Sequence, residues 1–87
     1  MNYKKHTQDR FFERFKFIIT DAEYDILCKM CNDNFIQIEP NRNRSIKKII
    51  KYNNIYICCI ISHKTKIIKT VYPVKRSKVK KYESTNI

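Results

Sequence analysis

The chain predicts an α+β domain, two N-terminal helices packed on a four-stranded antiparallel sheet, and two observations carry that prediction. Apolar residues recur every three to four positions through the first third of the chain, and from residue 35 onward that period gives way to short stretches rich in Ile, Tyr, Val and Cys, which is the change from helical to strand patterning. Short turn-forming pairs separate the later segments, so consecutive strands return as hairpins and not through the long crossovers that a parallel sheet requires.

The first helix is expected over residues 4–19, where Phe11, Phe12, Phe15, Ile18 and Ile19 recur at spacings of three and four. These residues define its buried stripe, with the charged residues elsewhere. Thr20 followed by Glu23 is a capping box, and Ile19 with Tyr24 fills the two positions of a hydrophobic staple, so a second helix starts there. Its apolar stripe is Tyr24, Leu27, Cys28 and Cys31. The run Asn32, Asp33, Asn34 ends it, because these side chains tolerate the left-handed backbone that closes a helix.

Residues 35–39 form the first expected strand, and three stretches rich in Ile, Tyr, Val and Cys supply the others. Asn53 and Asn54 stand between 45–52 and 55–62, where paired asparagines accept the positive φ values of a tight hairpin. His63 and Lys64 mark the next turn, ahead of a strand over residues 65–72. Pro73 closes it, having no N–H for the ladder. With both helices on one face, the other face is left to solvent or ligand. The expected domain covers residues 1–74, and the five bases within residues 75–81 read as the start of a flexible basic tail, 75–87.

At 87 residues the chain has room for one domain, and 43% hydrophobic residues, with six tyrosines and five phenylalanines, supply a core for it. Glycine is absent. Turns must then rely on Asn, Asp, Ser and His, and a glycine-rich phosphate loop is excluded, which argues against ATP-dependent and dinucleotide chemistry. The longest apolar run, residues 55–61, is far short of the roughly 18 residues that span a bilayer, and the amino terminus has no signal-peptide core. A cytoplasmic protein without a membrane partner is expected. Cys28, Cys31, Cys58 and Cys59 read as reduced, buried thiols. A zinc site from Cys28, Cys31, one strand cysteine and His63 is the weaker alternative, since adjacent strand residues point to opposite faces.

Charge is segregated along the chain. Residues 1–39 hold seven acids against six bases, whereas residues 40–82 hold thirteen bases and no acid, within a net charge of +11. Such a half attracts polyanions over about 8 Å in physiological salt, and nucleic acid is the first partner to consider. Lysines kept only for solubility are the bland alternative. The expected nucleic-acid-binding residues are Arg42, Arg44, Lys47, Lys48, Lys51, Tyr52, Tyr56, Lys66, Lys69, Lys75 and Arg76. The tyrosines offer flat rings on which single-stranded bases stack.

His6, Arg10 and Arg14 form H-x3-R-x3-R, a helical ladder of one imidazole and two guanidiniums. Guanidinium holds phosphate oxygens with a planar fork and stays charged, while imidazole gives or takes a proton near neutrality. Together they suit RNA cleavage, in which a base takes the 2′-hydroxyl proton, cations stabilise the phosphorane and an acid protonates the leaving 5′-oxygen. That chemistry calls for no metal and no cofactor. Near the other end, Thr70 and Tyr72 share a face of the last strand and bring two hydroxyls. His6 falls nearly opposite the phenylalanine stripe on a helical wheel, Arg10 is intermediate and Arg14 borders the stripe, so an exposed surface histidine is the bland alternative for His6.

The H-x3-R-x3-R motif, two helices, a β meander and a closing T-V-Y-P together resemble the small toxin-type ribonucleases of the RelE, colicin D and barnase-like superfamily, the BECR fold, and within it a group that shares both end motifs. The resemblance covers roughly residues 4–73. It implies metal-independent cleavage of RNA, such as tRNA or mRNA, and control by an acidic inhibitor or antitoxin protein. It also implies His6 as acid or base, Arg10 and Arg14 as phosphate clamp, and Thr70 and Tyr72 as partners on the sheet. Two other readings stay open: a non-catalytic nucleic-acid-binding module, and a small host-interaction protein that covers an acidic protein surface. A monomer is expected, since dense lysines discourage edge-to-edge strand pairing.

Overall fold

The Asn2 side chain accepts the Lys5 amide at 3.0 Å and opens helix α1 (Tyr3–Phe15), an N-cap that satisfies one of the unpaired donors of a first turn. The computed structural model describes residues 2–33, 35–40 and 45–84. α1 stops four residues short of Ile19. Lys16 adopts φ 62° and its N–H returns to the Phe12 carbonyl at 3.0 Å, a left-handed cap taken without glycine. The turn sends Phe17 back onto Phe11, with ring centroids 4.8 Å apart, and buries Ile19. The buried face of α1 is therefore centred on Thr7 and Phe11. Phe12 and Ile18, expected in the stripe, are 52% and 74% exposed.

α2 (Asp21–Asp33) begins at the expected capping box, with Thr20 N–H donating to Glu23 Oε1 and Glu23 N–H donating to Thr20 Oγ1, both at 3.1 Å. Ile19 and Tyr24 are both buried, as a staple requires, and so are Leu27, Cys28 and Cys31. The Tyr52 hydroxyl donates to Glu23 Oε2 at 2.9 Å and ties the sheet to this helix start. The backbone N–H of Thr20 first, and then the Tyr52 hydroxyl, hold the Glu23 carboxyl below its ordinary range.

Four strands follow, β1 (Gln37–Pro40), β2 (Ser45–Tyr52), β3 (Ile55–Ser62) and β4 (Ile68–Pro73), in a wholly antiparallel meander β1-β2-β3-β4. Asn53 and Asn54, at φ 49° and 63°, make the two-residue hairpin with the positive angles expected of them. The next turn is wider than the sequence suggests. Lys66 takes φ 63° and donates to the Ser62 carbonyl at 2.9 Å, so β4 starts at Ile68 and not at residue 65. A bulge follows, with Ile61 opposite Ile68 and Ile60 opposite Thr70, leaving Lys69 as the extra residue.

α1 lies along the outer edge of β4 and, together with α2, satisfies it. The Ile68 carbonyl accepts Thr7 Oγ1 at 3.2 Å and the Tyr24 hydroxyl at 2.7 Å, the Ile68 N–H donates to Cys28 Sγ at 3.5 Å, and the Val71 carbonyl accepts Arg14 Nη1 at 2.6 Å. An open strand edge is thereby closed to a foreign strand.

The two helices cover one face of the sheet, where Ile50, Ile57, Cys59, Ile61, Ile68 and Val71 join Phe11 and Leu27 in the main core. On the other face Ile49, Tyr56, Cys58 and Ile60 form a smaller cluster, packed by Val74 and Val79. Val79 belongs to a third helix, α3 (Arg76–Ser84), in the segment where the sequence suggests only a basic arm. A lone aliphatic residue among so many charges gives such a helix no stripe to read, and its contact with the sheet is tertiary.

Cys58 and Cys59 face opposite sides, as the strand alternation requires. All four thiols are buried and unbridged, and the Cys59 thiol is pushed up by its hydrogen bond with Cys31 and by burial. Among the described residues no group of three or more His, Cys, Asp or Glu is placed to hold a metal. No helix among them is long and apolar enough to cross a membrane.

Candidate functional site

The site is set by how α1 runs beside β4. Thr7 bonds at Ile68 and Arg14 at Val71. Seven helical residues advance about 10.5 Å and three strand residues about 10 Å, so helix and strand stay level over that span. With Thr7 and Phe11 turned inward, Arg14, Arg10 and His6 fall on one flank of α1, each half-buried. This differs from a wheel centred on the phenylalanines, because Phe12 faces water. Tyr3 lies on the same flank, where Lys69 Nζ stands 5.9 Å from its ring.

At the far end of that flank the two motifs meet. Arg14 Cζ stands 4.2 Å from the centre of the Tyr72 ring, and one of its N–H groups donates to the Val71 carbonyl. A guanidinium stacked on a ring presents its planar edge outward, the edge that matches a phosphate. Arg10 is turned to Glu13, at 2.7 Å. His6 has no side-chain partner among the described residues, and eight helical positions place it about 12 Å along the axis from Arg14. Arg14 and Tyr72 are in contact; His6 and Arg10 stand further back on the same flank.

Tyr72 and Thr70 open on a groove of about 500 Å³ between the sheet and the chain leading into α3. The strand register explains its composition. Glu39, Lys47, Ile60 and Thr70 form one row across the sheet, and Ile49, Cys58 and Tyr72 form the next. The floor is thus apolar in the middle, with hydroxyls on the β4 side and Lys47 on the β2 side. Lys75 and Lys78 add two ammonium groups from the chain above it. Burial pushes the Cys58 thiol up, which suits a floor residue and not a nucleophile. No carboxylate lines the groove among the described residues; Glu39 sits at its rim, 3.8 Å from Lys47 and 4.0 Å from Lys78.

The remaining expected binding residues scatter. Lys47 and Lys75 line the groove, and Arg76 is exposed at the start of α3. Lys69 reaches across β3 to Ser45 Oγ at 2.7 Å. Lys48 points to the helix-covered side, 8% exposed and 4.3 Å from the Phe35 ring, so it is not offered to a ligand in the groove. Tyr52 is half-buried and bonded to Glu23, and Tyr56 is 7% exposed beneath Lys51, so neither ring offers an open stacking face. Lys66 stands in the exposed turn before β4. Arg42 and Arg44 lie outside the described residues. Lys78 escaped the sequence reading, because α3 itself was not legible there.

No protein-family model, curated protein or solved structure matches this chain.

Proposed function

We propose that the protein is a metal-independent ribonuclease whose substrate strand enters at the junction of α1 and β4 and extends over the groove. The observation that carries the reading is the contact between Arg14 and Tyr72, which unites residues 58 positions apart in sequence at the mouth of a lysine-lined groove. In this reading Arg14 and Tyr72 hold one phosphate of the strand, Thr70 contacts the strand from the same face, and Arg10 leaves Glu13 to hold the scissile phosphate beside His6, one helical turn away. His6, on the same flank, exchanges the proton of the 2′-hydroxyl or of the leaving oxygen. The family resemblance of the two end motifs supports the same assignment.

The test is incubation of purified protein with total tRNA in EDTA, followed by analysis of the new ends. Fragments ending in 2′,3′-cyclic phosphate are expected, with the rate falling about a hundred-fold in His6→Ala. Undiminished cleavage in that variant would remove His6 from the mechanism. A second reading, an RNA-binding module without scission, is favoured by the distance of about 12 Å between His6 and Arg14 along the helix and by the pairing of Arg10 with Glu13. It expects retention of intact RNA that weakens in Arg14→Ala and is indifferent to His6→Ala.

A further inference from the structure

Resting on the reading that the groove face holds RNA, we propose that Lys47 and Lys78 form a second phosphate-binding subsite, which the Glu39 carboxylate fills until the strand arrives. Lys47 comes from β2 and Lys78 from α3, yet both ammonium groups converge on one carboxylate from β1, at 3.8 and 4.0 Å. That carboxylate stands where a phosphate oxygen would be held. The separations exceed the roughly 2.7–2.9 Å of a charge-assisted hydrogen bond, so neither lysine grips the carboxylate tightly. All three side chains remain 30–46% exposed, and pairs this open to water are weak and readily exchanged.

The register gives the path of the strand. Thr70 and Lys47 occupy one row with Ile60 between them, two strand spacings or about 10 Å apart. A phosphate on Arg14 and Tyr72 and a later one on Lys47 and Lys78 therefore flank the apolar floor of Cys58 and Ile60, where an unstacked base would lie. RNA would cross the strands and not follow the β4 edge. Glu39 acts as an internal competitor in that arrangement, lowering affinity for short or weakly held anions while a strand that also engages Arg14 displaces it.

A labelled 2′-O-methyl oligouridine of about ten nucleotides, which cannot be cleaved through its 2′ position, serves as probe in a fluorescence anisotropy titration from about 50 to 200 mM salt. Glu39→Gln is expected to bind two- to five-fold tighter and to steepen the slope of log K against log salt by about 0.7, the value for one further neutralised phosphate on a single strand. Lys78→Gln is expected to weaken binding and flatten the slope by about the same amount. Unchanged affinity and slope in Glu39→Gln, with the wild-type chain binding, would overturn the subsite and leave the RNA reading standing. A wild-type chain that does not bind the probe would overturn both. Circular dichroism checks that Glu39→Gln is folded; if it is not, Lys78→Gln decides, and unchanged binding there overturns the subsite.

Discussion

On the face covered by α1 and α2 the sheet presents Ile50, Ile57, Cys59, Ile61, Ile68 and Val71, all almost without exposure, and the polar atoms at its edge are taken up by Thr7, Tyr24 and Arg14. The opposite face of the same strands buries a smaller cluster, Ile49, Tyr56, Cys58 and Ile60, with α3 resting partly over it and lysines around the rim. Two full amphipathic helices close a face; one short basic helix with a half-buried valine leaves a groove. The difference separates a sealed core from an open groove, since a small domain needs one good core and not two.

Substitutions measure that asymmetry directly. Phe11→Ala, at the centre of the sealed face, is expected to cost about 3–5 kcal/mol in urea unfolding, enough to unfold a domain this small at 37 °C. Ile60→Ala, on the groove floor, is expected to cost about 2 kcal/mol, the low end for an aliphatic truncation, because water already reaches the site. Equal costs would mean that the groove face is core and not a binding surface. Thr20→Ala removes the cap that joins the two helices and is expected to cost about 1 kcal/mol in the same unfolding measurement. Lys16→Gly, at the left-handed turn, is expected to raise stability by up to about 1 kcal/mol, and a loss there would show that the turn is not strained.

Acidification sharpens the comparison further. Glu23 is held below its ordinary value of 4.5 by the Thr20 N–H and the Tyr52 hydroxyl. A carboxyl whose folded value is depressed stabilises the fold fully above its unfolded value, and that contribution disappears as the pH falls through the folded one. The gap in urea midpoint between the wild-type chain and Glu23→Gln should therefore be constant from pH 7 to about pH 5 and close below 4.5. A gap that persists at lower pH would show that Glu23 acts by packing and not by charge.

Local chemistry was legible wherever a residue and its near neighbours decide the outcome. Thr20 with Glu23 names a helix start, Asn53 with Asn54 names a hairpin, and the strand-forming residues of Ser45–Tyr52 and Ile55–Ser62 on either side of it give two strands to the residue. Failures fall where a distant contact outweighs the local signal. Ile18 keeps the helical period yet lies beyond a left-handed Lys16, and residues 76–84 lack an apolar stripe yet form a helix. Within the candidate site, the residue types were visible from the chemistry of guanidinium, imidazole and hydroxyl. Their distances apart were not, because a wheel centred on the phenylalanine stripe puts only Arg14 at the border of the buried face and His6 nearly opposite it.

Sequence alone determined the α+β class, the antiparallel meander and the gathering of positive charge in the second half, because periodicity, turn residues and composition act over a few positions or over none. Only the tertiary structure decided that Thr7 and Phe11 turn inward, that Arg14 meets Tyr72, and that Lys78 from α3 joins Lys47 at Glu39. Those pairings depend on the level at which α1 lies beside β4 and on where α3 crosses the sheet. Both follow from burying side chains far apart in the chain, a nonlocal free energy that no short window of residues contains.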